Sequence, residues 1–487
     1  MRAINLITPL LLIFCVSVAQ SQDSQNWTLE ECVNYAYSNN LDIRLAELDK
    51  QTEEAYLVQS KFSRVPTLNF DLYQGYSWGR SIDPTTNLFT TTRFSSNGFQ
   101  GSSDLVLFNG MQQVNSIKQG EKDVEARMYD LQSTKNDITL NVVAGYLEVI
   151  FTKELLSNAQ YQLQSTRAQM ERTEKLVNAG SLPRTNLLDL QAQLSSDEVN
   201  LINAQNNVVL ATLRLKQFLQ IPATEPFDII TPDFDESKYA MIDEDVEDVY
   251  ESAVLTMPEI KGADVRVESA EIGEKIAVGG YYPTLSMRGM VSTNYSNQRD
   301  VENREVPTGD SVLIPPVPIG FLGNDPSQQV FSYERYAPEF NEIDGYPIGE
   351  QWGDNISYGV SFNLRIPIVN GNRVRTNRQI AQIQKERAEV NATQTRNTLR
   401  INIETAYNDA SAALKTYEAA LQQVDALEEA FRAAERRYES KVSNYTEYQV
   451  ANNNLYVARS DLARAKFDYI FKLKILDFYQ GNPITLD

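Results

Sequence analysis

Residues 61–78 read "KFSRVPTLNFDLYQGYSW", and residues 278–295 read "VGGYYPTLSMRGMVSTNY". Both stretches carry one triplet, Pro66-Thr67-Leu68 and Pro283-Thr284-Leu285. Before each proline the apolar spacing is helical, and proline disfavours helical geometry at the residue before it. After each proline the period becomes two. Leu68, Phe70, Leu72, Tyr76 and Trp78 alternate with Asn69, Asp71, Tyr73, Gly75 and Ser77. Leu285, Met287, Gly289 and Val291 alternate with Ser286, Arg288, Met290 and Ser292. Such alternation predicts strands with one apolar and one polar face.

The triplet is part of a longer repetition. At the same offset of 217 residues, Ala36 meets Ala253, Asp42 meets Glu259 and Ile43 meets Ile260. Further on, Asn109-Gly110 meets Asn370-Gly371, Tyr146 meets Tyr407, Leu194 meets Leu455 and Leu215 meets Leu476, all at an offset of 261. The chain is therefore written twice, as repeats at 20–244 and 245–487. The second copy holds 44 extra residues, placed at about 293–355. That segment contains "VPTGDSVLIPPVPIGFLGNDPSQ", and its Pro and Gly predict a long surface loop.

Each copy predicts the same order of elements. A modest amphipathic helix comes first, at Leu29–Lys61 and Val246–Val278. A strand follows the proline, and a second strand precedes Asn-Gly. "NISYGVSFNLRIP" sets Ile356, Tyr358, Val360, Phe362, Leu364 and Ile366 on one face; "GFQGSSDLVLFNG" is its rougher counterpart. After Asn-Gly comes a very long helix. Ile138, Val142, Gly145, Val149, Thr152, Leu156, Ala159, Leu163, Thr166, Met170, Thr173 and Val177 step by four and three, a coiled-coil seam rich in small residues. Leu147, Phe151 and Leu155 mark a second seam. In the second copy Ile403, Tyr407, Ala410, Leu414, Tyr417, Leu421 and Val424 do the same. The first long helix turns at "NAGSLPRTN", with Gly180 as breaker and Pro183 opening the return helix. The second turns at "ESKVSNYTE", without glycine or proline.

Composition narrows the function classes. The 487 residues carry a formal charge of −21 and no histidine, which argues against nucleic acid as partner and removes histidine-based catalysis and metal ligation. No catalytic set and no cofactor or metal site is expected. Residues 1–19 read as an export signal, with Ser17 and Ala19 before the cut. Phe14 before Cys15 argues against lipidation there, so Cys32 would be left alone. No later run of 18 apolar residues predicts a membrane helix, so an exported chain either stays in solution or spans a membrane as strands. Four strands cannot close a barrel alone; a barrel shared between subunits would remove the sheet edges. Tyr76, Trp78 and Tyr358 suit a membrane interface.

The duplicated order of helix, Pro-Thr-Leu, two strands, Asn-Gly and long helical hairpin resembles the TolC-like outer-membrane efflux family, as does the closing "KFDYIFKLKILDFYQGNPI". The resemblance spans the mature chain. It implies an α+β membrane protein in which three subunits give four strands each to a twelve-stranded barrel, continued by a coiled-coil tunnel through the periplasm. It also implies an adaptor (membrane fusion) protein and an inner-membrane pump as partners, besides outer-membrane lipid. Similar proteins carry acids just after the hairpin turns, at a periplasmic aperture. Set on Gly180 and Lys441, those positions become Asn186 and Asp189, and Glu447 and Val450, so one acid remains per copy at different steps. A family tyrosine that holds the aperture closed aligns with Tyr438. Gly180, Ser181 and Leu182, with Lys441, Val442 and Ser443, become the adaptor-docking tips. Pro66, Pro283, Gly110 and Gly371 become the strand junctions. A plainer reading of Asp189 and Glu447, as solvated acids near the positive ends of helix dipoles, stays open. So does an exported coiled-coil scaffold without channel activity.

Overall fold

The computed structural model describes residues 26–82, 87–91, 93–232, 245–297, 304–323, 327–343, 346–440 and 442–482. The expected signal at 1–19 and the tip residue Lys441 lie outside the described residues. In the first copy the elements are β1 (Asn26–Trp27), α1 (Leu29–Asn39), α2 (Leu41–Phe62), β2 (Thr67–Ser77), β3 (Ser81–Ile82), β4 (Phe89–Thr90), β5 (Phe94–Asn109), α3 (Gln112–Asn178), α4 (Arg184–Leu219) and β6 (Asp228–Ile229). The second copy gives α5 (Val246–Thr256), α6 (Pro258–Gly279), β7 (Thr284–Ser296), β8 (Arg304–Ile314), β9 (Pro318–Phe321), β10 (Gln329–Phe331), β11 (Arg335–Ile343), α7 (Ile348–Asp354), β12 (Ser357–Arg365), α8 (Arg373–Glu439) and α9 (Tyr445–Tyr479). Helices α5 and α6 start 217 residues after α1 and α2, and α8 and α9 start 261 after α3 and α4. Two compact units cut across the copies: 1–57, 119–271 and 383–487 form one, 58–118 and 272–382 the other.

In the first unit, the single helices expected at Leu29–Lys61 and Val246–Val278 are each two. Thr28 opens α1 with a capping box, its hydroxyl accepting from Glu31 N while the Glu31 carboxylate accepts from Thr28 N. The helix breaks at Asn40, whose side-chain oxygen accepts from Asp42 N at 2.9 Å and restarts the chain as α2. In the second copy the break falls at Met257, because Pro258 follows it. Two cores result, built from equivalent positions. Cys32, Ala36, Ile43, Ile138 and Val142 are buried in one; Val249, Ala253, Ile260, Leu399 and Ile403 are buried in the other. Cys32 is a free, buried thiol that burial raises to about 12, so it packs as an apolar group.

The long helices α3 and α8 each have 67 residues, about 100 Å at 1.5 Å per residue. On α3, Ile138, Val142, Gly145, Val149, Thr152, Ala159, Leu163, Thr166 and Thr173 are buried, while Leu156, Met170 and Val177 are half-buried. The small residues set the spacing: a Cβ on Gly145 would meet Leu215 of α4 at 3.4 Å. On α8 Ile403, Ala410 and Val424 of the expected line are buried, Tyr407, Leu414 and Tyr417 are half-buried and Leu421 is exposed; Ala413 and Ala420 are buried beside them.

The second unit contains an antiparallel sheet in the order β12-β7-β5-β2. Each copy supplies one strand pair, and β5 with β7 joins them. Residues opposite one another share a face: Leu72 pairs with Phe99, Phe99 with Thr293, Val291 with Tyr358, and Met287 with Phe362. Leu68, Phe70, Leu72, Tyr358, Val360, Phe362 and Leu364 are all exposed on that side. The other side carries Ser102, Ser286, Ser361 and Asn363, and Asp104 binds Arg288 there at 2.6 Å. Large apolar side chains left in water each forgo on the order of 2 kcal/mol of burial, so this face is made for an apolar surrounding.

The expected long loop at about 293–355 is largely ordered structure. Strand β7 runs on to Ser296, β8 pairs with β11, and β9 pairs with β10. Its Pro and Gly sit within or between strands that otherwise alternate, which the turn residues masked. Helix α7 ties the segment to the sheet: the buried Gln351 amide accepts from Ser296 N at 3.1 Å and donates to Ser296 O at 3.2 Å. Trp352 Nε1 donates to Asn97 Oδ1 at 3.1 Å. Pro66 and Pro283 stand immediately before β2 and β7. Gly110 ends β5 at φ +66, where a Cβ would lie 2.3 Å from Gly279 O; Gly371 has φ +61 with open space around it.

Candidate channel aperture at the hairpin turns

The turns close alike although only one contains glycine. Ser181 N donates to Leu176 O at 2.8 Å, and its repeat partner Val442 N donates to Arg437 O at 2.9 Å. This is the long bond of a Schellman closure. Gly180 supplies the left-handed residue at φ +73. At the tips Gly180, Ser181 and Val442 are exposed and Leu182 is half-buried. Ser443 is half-buried, and its hydroxyl oxygen is buried without a hydrogen-bond partner.

Tyr438 is the last residue but one of α8, in a cluster that its spacing in α8 alone does not reveal. Its ring stacks on Tyr448 at 5.2 Å and meets Tyr445 edge-on at 6.0 Å, while Phe431 lies 5.6 Å from Tyr448. Leu190 of α4 and Met170 of α3 complete the group, so the rings of α8 and α9 meet the other hairpin through two aliphatic side chains. Tyr445 donates to Gln449 Oε1 at 2.5 Å. Burial raises the Tyr445 phenol well above its ordinary value, and Tyr448, Tyr438, Asp189 and Asp197 add smaller pushes in that order. The signal was present in the spacing: Tyr445 and Tyr448 are three apart at a helix start and so share a face.

The four expected aperture residues fall in two surroundings. Asp189 is exposed beside buried Leu190, close enough to Tyr445 to act on its phenol. Asn186 is half-buried in the first turn of α4, its N–H donating to Pro183 O at 3.2 Å. Glu447 is exposed in the first turn of α9, where the Asn444 side chain caps its N–H at 3.0 Å. Glu447 and Val450 line a groove between α8 and α9 with Arg437, Asn444 and Asn454.

Behind the turns, polar ties connect the helices. Buried Asp197 accepts from Thr166 Oγ1 at 2.7 Å and Gln193 Nε2 at 2.8 Å. Asn452 Nδ2 donates to Gln162 Oε1 at 3.2 Å, and Arg172 pairs with Glu439 at 3.0 Å. Arg459 pairs with Glu428 at 2.6 Å and holds that carboxyl below its ordinary range. Among the described residues no group of three metal-ligating side chains is assembled, and no helix is long and apolar enough to cross a membrane.

Long paired helical hairpins make up one unit, and the other holds a four-stranded sheet with an exposed apolar face, the chemistry of a membrane-facing sheet. The family model described as "Outer membrane efflux protein" matches residues 32–219 and 332–481. The chain belongs to this family and is an outer-membrane protein. It is 21% identical over 481 residues to the outer membrane protein TolC of Vibrio cholerae serotype O1, covering 97% of this chain and 94% of that one. Its fold matches the crystal structure of CusC with a TM-score of 0.71 at 16% identity, covering 93% and 92% of the two chains. It matches VceC from Vibrio cholerae with a TM-score of 0.68 at 13% identity, covering 94% and 97%.

Proposed function

We propose that the chain is one of three identical subunits of an export duct, the exit stage of a tripartite efflux or type I secretion system. The observation that carries this reading is the sheet: one face apolar and exposed, the other polar, and two edges, β2 and β12, unpaired among the described residues. Unpaired edges of that length invite pairing. Joining β12 of one copy to β2 of the next gives four strands per subunit to a twelve-stranded barrel whose polar face lines the lumen. The long hairpins continue the lumen as a helical tunnel.

No step of chemistry is assigned to the chain; it works as a conduit. Asp189 and Glu447, one from each hairpin, supply carboxylates to the aperture, with Asn186 and Val450 at the alternate steps. Threefold repetition makes these a ring that attracts cations. Tyr438 holds the α8–α9 hairpin against its neighbours. The tips at Gly180, Ser181, Leu182, Lys441, Val442 and Ser443 receive the adaptor. Detergent extraction followed by mass measurement and planar-bilayer recording tests the reading. A trimer that conducts, with cation preference reduced by D189N/E447Q, is expected. A protein released by high salt, monomeric and without conductance, refutes it.

A further inference from the structure

The duplication makes a demand on helix packing that one chain does not meet. In the first copy α2 packs on α3: Arg127 pairs with Glu53 at 3.6 Å, and a Cβ on Gly120 would meet Leu57 at 3.3 Å. The second copy has the equivalent contact of α6 with α8, through Arg396–Asp264 at 2.5 Å and Lys385–Glu271 at 2.9 Å. Helix α6, however, has a second neighbour. Its other face meets α3, where a Cβ on Gly262 would lie 3.3 Å from the Tyr129 Cβ, Ser269 Oγ donates to Asp123 at 2.6 Å and Arg266 binds Asp130. Gly262, Val265 and Ser269 are buried by it. The pairing is antiparallel, since rising numbers on α6 meet falling numbers on α3.

The offsets of 217 and 261 turn that α6–α3 contact into one between α2 and α8. Gly262, Val265 and Ser269 become Leu45, Leu48 and Thr52, while Tyr129, Ala126 and Asp123 become Val390, Arg387 and Gln384. All six of these counterparts are exposed. On α2, Leu41, Leu45, Leu48, Thr52 and Tyr56 step by four and three, an uncovered coiled-coil stripe. On α8, Ile383 and Val390 are 52% and 65% exposed. Where α6 and α3 match glycine with tyrosine, α2 and α8 offer leucine and valine, so the large side chain has moved to the other partner. Asp49 stands in the place of Arg266, level with Arg387, and among the described residues neither makes an ion pair. The two helices that lack this neighbour are also those joined in sequence to the sheet edges: α2 leads into β2, and β12 leads into α8.

We propose that the exposed stripe of α2 is covered by a second copy of this chain: α2 of one subunit packs antiparallel on α8 of the next, with Leu45 against Val390 and Asp49 paired with Arg387. The proposal rests on the reading of several identical subunits and names the helix faces by which they meet. The full-length wild type, L45C/V390C and L45C/I401C are oxidised with copper phenanthroline in isolated outer membranes and run on non-reducing gels. The spacing at Gly262 and Tyr129 is within reach of a disulfide, so L45C/V390C is expected to pass largely into covalent dimers and trimers that reductant returns to monomer. Ile401 is exposed on α8 but about 16 Å from Val390, and L45C/I401C is expected to stay monomeric. Cys32 is buried and supplies no competing thiol. A second arm reads the ion pair. D49R and R387D each set like charges together and are expected to lower the temperature at which the extracted assembly dissociates, and D49R/R387D to recover at least about half of that loss. Failure of L45C/V390C to cross-link, equal cross-linking by L45C/I401C, or a double exchange no better than the single ones overturns the proposal. Mass measurement of the extracted wild type separates the failures. A trimer whose L45C/V390C form does not cross-link sinks this interface alone, whereas a monomer sinks the multi-subunit reading with it.

Discussion

Replacing Tyr438 by alanine tests what keeps the hairpin ends together. The Tyr438 ring has two aromatic partners, at 5.2 and 6.0 Å, each contributing about 0.5–1.5 kcal/mol beyond burial. Partial burial of the ring adds about 1 kcal/mol, so its loss costs roughly 3 kcal/mol per subunit. Both ring partners lie on α9, so this energy holds α8 to α9 within one hairpin; the tie from this end to the other hairpin is Arg172–Glu439 at 3.0 Å, whose side chains are 55% and 48% exposed. A pair that solvated contributes less than about 1 kcal/mol. Rings therefore outweigh charge at this end. At about 1.4 kcal/mol per factor of ten, an opening that parts α8 from α9 at this end is expected to become on the order of 100-fold more favourable in Y438A, and R172Q is expected to change it by less than about fivefold. Single-channel recording in planar bilayers at 0.1 M and 1 M KCl reads both. The Y438A effect should persist at high salt, where the screening length falls to about 3 Å, and the R172Q effect should vanish. An R172Q channel that opens as readily as Y438A refutes the reasoning, as does a Y438A channel that gates like wild type.

Further outcomes follow from other parts of the chain. G110A should lower the thermal stability of the extracted protein more than G371A. Both residues have positive φ, but only at Gly110 would a Cβ press on backbone, 2.3 Å from Gly279 O; the left-handed backbone alone costs about 1–2 kcal/mol. Equal melting shifts for the two variants would contradict this. Burial raises the Glu259 carboxyl above its ordinary value, and Asp137 adds to it. The folded state then holds that proton more firmly than the unfolded chain, so its contribution is present in acid and lost as pH rises through the raised value. E259Q is therefore expected to raise the melting temperature near pH 7 and to match wild type near pH 4; a gain independent of pH would count against the assignment. Exchange of both acids proposed for the aperture, D189N/E447Q, should lower the cation-to-anion permeability ratio measured from reversal potentials, while E429Q on the exposed flank of α8 should leave it unchanged.

The architecture was legible wherever period and repetition spoke together. Pro66 and Pro283 marked the helix-to-strand changes, and offsets of 217 and 261 carried the helix starts of one copy onto the other. The break at Asn40 was hidden because its cause is a side-chain cap from Asn40 to Asp42 N, which leaves the apolar spacing intact. The strands β8 and β11 were hidden by Pro307, Gly309 and Pro338, which read as loop residues although the ladder runs past them with one irregularity. The acids Asp189 and Glu447 could be pointed to only by resemblance. The tyrosine cluster could have been found from spacing alone, but its partners Met170 and Leu190 come from the other hairpin and leave no local trace.

Comparing the copies separates what packing dictates from what it leaves free. Cys32 and Val249, Ala36 and Ala253, Ile43 and Ile260, and Val142 and Ile403 fill matching core positions with side chains of similar size. The hairpin turns keep the same closing bond, yet one has Gly180 and the other has lysine at the equivalent place. The first copy spans from β2 to β5 with a hairpin bearing Arg80 and Arg93, whereas the second inserts β8 to α7 between β7 and β12. A buried helix contact fixes its residues by volume, and both copies face that demand equally. Exposed ends meet whatever lies outside the chain. If the copies differ there because they meet different things, exchanging the two tip sequences should spare folding but disturb adaptor binding, measured by cross-linking, while exchanging Cys32 for valine should disturb neither.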